Sequence, residues 1–231
     1  MQFFSYLING ISLGSVYALI ALGYTMVYGI AKMLNFAHGD VIMIGSYVVY
    51  FAFGASGLNP VLSIVLSMIV CTILGVVIER LAYRPLREAP SLAVLITAIG
   101  VSYLLQQVAQ LSWSSNPKSF TSVVSGMKPV SLFGGQLTIS AETIVTIVAC
   151  VVIMVVLMWF VNYTPAGHAM LAVSEDRGAA QLMGVNVNGT ISLTFAIGSA
   201  LAAIAGALLC SSYPTLQPTT GAMPGIKAFV A

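Results

Sequence analysis

Long apolar runs joined by short polar links make up most of this chain. A helix that crosses a bilayer needs about 20 mostly apolar residues at 1.5 Å rise each. Runs of that kind fall at residues 7–31, 61–78, 92–111, 143–161 and 191–212. None shows the alternating ten-residue pattern of a membrane β-barrel, and unpaired backbone amides are not tolerated in lipid, so the runs predict helices. The expected fold is an all-α integral membrane protein, a polytopic helical bundle.

The run from Val41 to Phe53 is too short. At helical rise it reaches only about 20 Å, against a hydrocarbon core of about 30 Å. Either it is re-entrant, or a span over 34–53 begins near Leu34 and carries "NFAHGD" (Asn35–Asp40) into the membrane. Both readings make this the one short or broken helix and put polar groups where they need a partner or water. Asp40, just ahead of the apolar run, also reads as a helix N-cap. Asn35, His38 and Asp40 are therefore candidate residues of a helix break on a solute pathway.

Composition narrows the class. The chain is 59% hydrophobic and 6% charged, against about 25% charged in soluble domains, so lipid is its solvent. A net charge of +2 with no Lys/Arg cluster gives no footprint for nucleic acid. Cys71, Cys150 and Cys210 sit singly in apolar runs, without metal or disulfide spacing. No Walker A loop occurs, and neither a cofactor nor a metal is expected. No span shows the buried acid–base pair of an ion-driven pump. "GASG" (Gly54–Gly57) matches an intramembrane protease pattern but reads as a turn before Pro60.

Arginines set the orientation. Arg80, Arg84 and Arg87 crowd the link 80–91, whereas the longer link 112–141 holds only Lys118 and Lys128, so the former is expected in the cytoplasm and the latter outside. Turn residues Pro117, Pro129 and Gly134-Gly135 give the outer link the character of a small irregular or hairpin cap. The N-terminus lacks a basic region ahead of its apolar stretch, which predicts a retained first span. Counting back from the cytoplasmic link, Lys32 is cytoplasmic if 34–53 spans, which puts the N-terminus outside.

Small residues recur at four-residue spacing as Gly10, Gly14 and Ala18 and as Gly198, Ala202 and Gly206, with Ser199, Ala203 and Ala207 beside the second set. Such stripes let helices approach closely, and packing inside the bundle is the expectation for both. The 92–111 span carries Thr97, Ser102, Gln106, Gln107 and Gln110. Gln106 and Gln110 share a face, either lining a polar path or bonding between helices.

Between the last two long runs lies a polar island, Thr164–Thr190, with Glu175, Asp176 and Arg177 in succession. Residues 169–183 predict a helix of about four turns. It is too polar to span, so it is expected to lie along the cytoplasmic surface. Two acids against one arginine suit a protein partner better than anionic lipid.

"AVSEDRGAAQLMGVNV" with the following "SLTFAIGSALAAIAGALL" resembles the permease subunits of branched-chain amino acid ABC transporters. So do "GSVYALIALGYTMVYGIAKMLNFAHGDVIMIGSY", "IERLAYRPLR" and "LITAIGVSYLLQ". The resemblance covers essentially the whole chain in order. It implies a multi-pass protein of the bacterial inner (plasma) membrane. ATP-binding cassette subunits, a second related permease and a periplasmic solute-binding protein are its implied partners, with membrane lipid around it. The island would be the coupling helix that docks on the ATPase. Importers carry E-A-A-x-x-x-G there; this chain has Ala179, Ala180 and Gly184, with Gly178 at the Glu position and Glu175 and Asp176 as the nearest acids. Family members continue through further spans beyond "GIKAFVA", so a partial span from about 225 and a truncated C-terminus are expected. No bond-making chemistry is implied, and branched-chain amino acids, urea or small amides all fit as solute. A self-sufficient secondary transporter or a channel is the alternative; the former needs two broken helices, of which the sequence offers one.

Overall fold

A computed structural model of the chain describes residues 2–124, 129–132 and 137–230. Five helices in it are long and apolar enough to cross a membrane: Tyr6–Ala31, Pro60–Leu86, Ser91–Trp113, Ala141–Tyr163 and Val187–Ser212. They belong to α1 (Gln2–Ala31), α3 (Pro60–Ile78 with its tighter and wider turns to Leu86), α4 (Ser91–Trp113), α5 (Ala141–Tyr163) and α8 (Val187–Ser212). Three shorter helices lie between them: α2 (His38–Val49, widening to a π-helical Tyr50–Ala55), α6 (Pro165–Glu175) and α7 (Arg177–Leu182). A fourth, α9, covers Ala222–Val230.

Polar residues in the links work as caps. Asn59, Ser140, Thr164, Asp176 and Asn186 each accept a backbone N–H at the start of α3, α5, α6, α7 and α8. These bonds satisfy donors that the helices leave open. Asp40 is not one of them. α2 starts at His38 behind Ala37, which has no side-chain cap, and Asp40 lies in its first turn.

The two ends of the bundle differ. At one, the close of α1 meets Lys32, Arg87, Arg177 and the start of α4; this is the basic end. At the far end, Asn9 of α1 meets Ser140, Glu142 and Tyr213. There β1 (Lys118–Ser119) pairs antiparallel with β4 (Thr215–Leu216), and β2 (Val130–Leu132) with β3 (Leu137–Ile139) as a hairpin. The hairpin is the cap anticipated from the turn residues; Gly134-Gly135 and Lys128 lie outside the described residues.

α8 is the centre. Gly198, Ala202 and Gly206 are buried, as are Ser199, Ala203 and Ala207, and together they admit three neighbours. A Cβ on Gly206 would stand 2.5 Å from the Ile42 carbonyl oxygen of α2. One on Gly198 would touch Val27 of α1, and the Ser199 side chain fills the notch at Gly75 of α3. The stripe on α1 behaves differently. Gly10, Gly14 and Ala18 are exposed, and nothing stands within 4 Å of a Cβ added at either glycine. Internal packing therefore holds for the α8 stripe and fails for that of α1, whose small residues face outward.

A prediction follows from the contrast. Gly206→Ala forces α2 and α8 apart and should cost about 1–3 kcal/mol, read as a lowered midpoint of thermal unfolding in detergent. Gly14→Ala should leave the midpoint unchanged or slightly raised, since alanine is the better helix former. Equal losses at both positions would contradict the packing described.

Candidate functional site

The first candidate region lies deep in the bundle, where α2 begins. Lys32, in the left-handed conformation at φ 51°, ends α1. Residues 32–37 then run inward without helical structure, and Met33, Asn35 and Ala37 are buried. Their polar groups are met inside the protein: Tyr83 Oη donates to Asn35 Oδ1 at 2.9 Å, and His38 N to the Asn35 carbonyl at 3.1 Å. The stretch thus carries Asn35–Asp40 inward from the basic end, and α2 continues it to the far end, where Phe51 meets Trp113; the helix itself begins at His38 rather than near Leu34.

Three polar side chains gather at its inner end. Asp40 is 2% exposed and accepts from Gln106 Nε2 at 2.9 Å; the same nitrogen lies 3.3 Å from Ser102 Oγ. Gln106 is about 22 Å along α4 from Ser91, which places Asp40 well inside the apolar layer. Its position in the first turn of α2 sets the carboxyl group at the positive end of that helix. The His38 ring lies 4.5 Å from that of Tyr24, and its Nε2 is buried without a hydrogen-bond partner. Asp40 and Gln106 are thereby brought into contact, while the side chains of Asn35 and His38, on the same stretch, meet Tyr83 and Tyr24. Gln110 lies apart: it lines a separate hollow at the far end with Trp113 and Lys118.

The region contains a second helix break that the sequence did not reveal. α9 begins against the start of α2, so closely that a Cβ on Gly221 would stand 1.8 Å from the Gly39 carbonyl oxygen. A Cβ on Gly225 would be 3.0 Å from Gly39 Cα and 3.1 Å from Tyr24 Oη. Two short helices therefore start side by side at depth. Only glycines on both sides permit that distance, and "GAMPG" in an apolar context was the available signal.

The second candidate region is the polar island at the basic end. It is two helices, not the single one expected over 169–183. Asp176 adopts an extended conformation (φ −149°, ψ 114°), ends α6 and caps α7 through bonds to Gly178 N (2.7 Å) and Ala179 N (3.0 Å). Capping competes with helix continuation, and here it wins. Gly184, at φ 88°, closes α7 in the left-handed conformation that glycine adopts without strain. Met170, Val173 and Ala180 face the bundle. Glu175, Asp176, Ala179, Leu182 and Met183 face out, the last two 90% and 85% exposed. Arg177 donates to the Ala31 carbonyl at the end of α1, a cation on the negative end of a helix.

Beneath the island lies an ion pair just beyond the predicted span 61–78, which the sequence did not signal. Glu79, fully buried, is bound by Arg87 and accepts from Ser192 Oγ at 2.6 Å; Arg87 also donates to Asn188. The pair ties the end of α3 and the 84–91 link to α8. Eight positions separate its members in sequence, and a π-helical turn over Glu79–Tyr83 and a 3-10 turn over Arg84–Leu86 lie between them. Burial and the neighbouring Arg87 hold the Arg177 pKa below its usual range.

Buried polar groups at a helix break in mid-membrane, with an amphipathic element on the surface, define a multi-pass membrane transport protein. A family model described as "Branched-chain amino acid transport system / permease component" matches residues 6–231. The chain is 43% identical over 237 residues to the high-affinity branched-chain amino acid transport system permease protein BraD of Pseudomonas aeruginosa, covering 97% of this chain and 76% of that one. It is 40% identical over 242 residues to LivH of Escherichia coli, covering 100% and 78%. Similarity extends to the ribose import permease RbsC of Haemophilus influenzae, 27% over 227 residues, 94% of this chain and 64% of that one. No solved structure matches the chain. The protein belongs to the branched-chain amino acid permease family, as a transport component of the inner membrane.

The midplane geometry yields a prediction. Asp40→Ala leaves the Gln106 amide with one acceptor fewer in the core and should destabilise the protein by about 1–3 kcal/mol. Asp40→Asn retains an acceptor oxygen and should unfold near the wild-type temperature. Equal midpoints for Asp40→Ala and wild type, in the same detergent, would show that the contact is dispensable.

Proposed function

We propose that the chain is the membrane-spanning permease subunit of an ATP-driven importer. On this reading, ATP-binding cassette subunits supply the energy and a periplasmic binding protein delivers the solute. The solute is a branched-chain amino acid or a related small polar molecule. The observation that carries the reading is the island's outward face. Leu182 and Met183 are nearly fully exposed beside Glu175, Asp176 and Ala179, on an element anchored to α1 by Arg177. Such a face costs free energy in water and is the mark of a docking surface. Ala180 and Gly184 shape the element from within, while Glu175, Ala179, Leu182 and Met183 meet the partner.

Movement imposed on α6 and α7 has a physical route inward. Arg177 holds the end of α1, after which the chain turns inward through the non-helical stretch, and Tyr83 holds Asn35 of that stretch to the end of α3. A push on the island therefore bears on the start of α2, where His38, Asp40 and Gln106 gather. We assign these residues, with Asn35, to the gate of the solute pathway. A second, related permease is the partner for the outward stripe of Gly10, Gly14 and Ala18, since small residues in lipid favour helix–helix contact. Paired helix breaks at depth are also what a self-sufficient secondary transporter would use. Dependence on an ATPase separates the two.

The test uses the chain together with its ATPase subunits. Glu175→Lys, and separately Leu182→Asp with Met183→Asp, should leave the permease inserted and abundant. Both should abolish co-purification of the ATPase and solute-stimulated ATP hydrolysis. Asp176→Asn, which keeps the cap, should assemble better than Asp176→Ala, which loses about 1 kcal/mol of helix stability. Capture of the ATPase at wild-type level by both charge variants would overturn the reading.

A further inference from the structure

Two cavities at the basic end share a wall made by Arg87 and Arg177. The inner one, about 500 Å³, opens between the end of α1 and the start of α4; Lys32, Arg87 and Arg177 line it, and none of its lining residues is acidic. Three basic side chains thus line one cavity; Arg87 is paired with Glu79 on the α8 side, whereas Lys32 and Arg177 have no carboxylate partner among the described residues. Arg87 Nε is buried and has no hydrogen-bond partner. Two unpaired cations on one cavity wall, beside a guanidinium with an unmet donor, call for an anion.

The depth of the cavity identifies the kind of anion. Its walls are the last turn of one span (Tyr28, Ala31) and the first of another (Ser91, Val94), so it lies at the level of lipid headgroups. Leu34 and Val94 add an apolar wall beside the cations, and Tyr28 is half exposed at the rim. Aromatic residues of that kind mark the interface. A carboxylate from a docked protein would approach from the face of Glu175, Leu182 and Met183, which is a different surface.

We propose that this cavity binds the phosphate of one anionic phospholipid, with Lys32, Arg87 and Arg177 around the phosphate and Leu34 and Val94 against the start of its acyl chains. Basic pockets between membrane helices on the cytoplasmic side take such headgroups. The lipid would neutralise the cations and brace Arg177, the anchor of the island. The site does not depend on which protein docks there, and the permease alone suffices to test it.

The experiment is native mass spectrometry of the purified chain titrated with phosphatidylglycerol, phosphatidylcholine or inorganic phosphate. One tightly held phosphatidylglycerol per chain is expected, with phosphatidylcholine and inorganic phosphate held far more weakly. Lys32→Gln and Arg177→Gln should each weaken the phosphatidylglycerol complex about fivefold. Arg80→Gln, exposed and outside the cavity, should not. Equal weakening by Arg80→Gln would reduce the effect to general surface charge and overturn the proposal. Inorganic phosphate that binds as tightly and displaces the lipid would overturn the lipid as source. ATPase subunits that expel the lipid one for one would assign the cavity to protein docking instead, whereas loss of ATPase capture with lipid retained bears only on the function proposed above.

Discussion

The structure depends on how a stretch of non-helical backbone is accommodated inside a membrane. Hydrocarbon offers no partner for a free amide or carbonyl, so the stretch that runs inward from Lys32 to Ala37 persists only because protein surrounds its inner part. Tyr83 reaches Asn35, the Asn35 carbonyl accepts from His38, and the α8 stripe lets α2 pack so closely that His38, Asp40 and Tyr47 are almost wholly buried. The outer helices then enclose this core and meet lipid with their apolar faces: Ile96, Leu104 and Val108 on α4, and Val151, Val155 and Met158 on α5, are exposed.

Function grows from the same constraint. A helix that begins at depth brings polar side chains to mid-membrane without charging a whole span, and it places a hinge next to them. Here the hinge is linked by single contacts to both the island and the end of α3. Such contacts change partners as units rather than bend gradually, which suits a pathway that alternates between two states. Gly39, Gly221 and Gly225 let the starts of α2 and α9 meet backbone to backbone at the same place.

Much of this was legible in the sequence. The apolar runs predicted the bundle, and the shortness of Val41–Phe53 marked the helix break, because both follow from one dimension, the bilayer thickness. What stayed hidden depends on three-dimensional partners. Glu79 and Arg87 look like ordinary link residues until the structure pairs them. Asp176 carries a cap signature that splits the island, but the surrounding helical periodicity outweighed it. The stripes of α1 and α8 are alike in spacing and opposite in burial, since spacing sets a face and not what covers it. Gln106 and Gln110 share a face in sequence, yet only the one opposite the start of α2 finds Asp40.

The buried non-helical stretch ahead of α2 is the claim on which the rest stands, and its accessibility tests it most directly. In a chain with Cys71, Cys150 and Cys210 replaced, Ala37→Cys and, as a surface reference, Glu175→Cys would be treated from the cytoplasmic side with a membrane-impermeant thiol reagent. Ala37 is 0% exposed, so the account predicts labelling far slower at position 37 than at 175, with the difference abolished by denaturation. Equal and rapid labelling at both positions would make the stretch a surface loop and contradict the account.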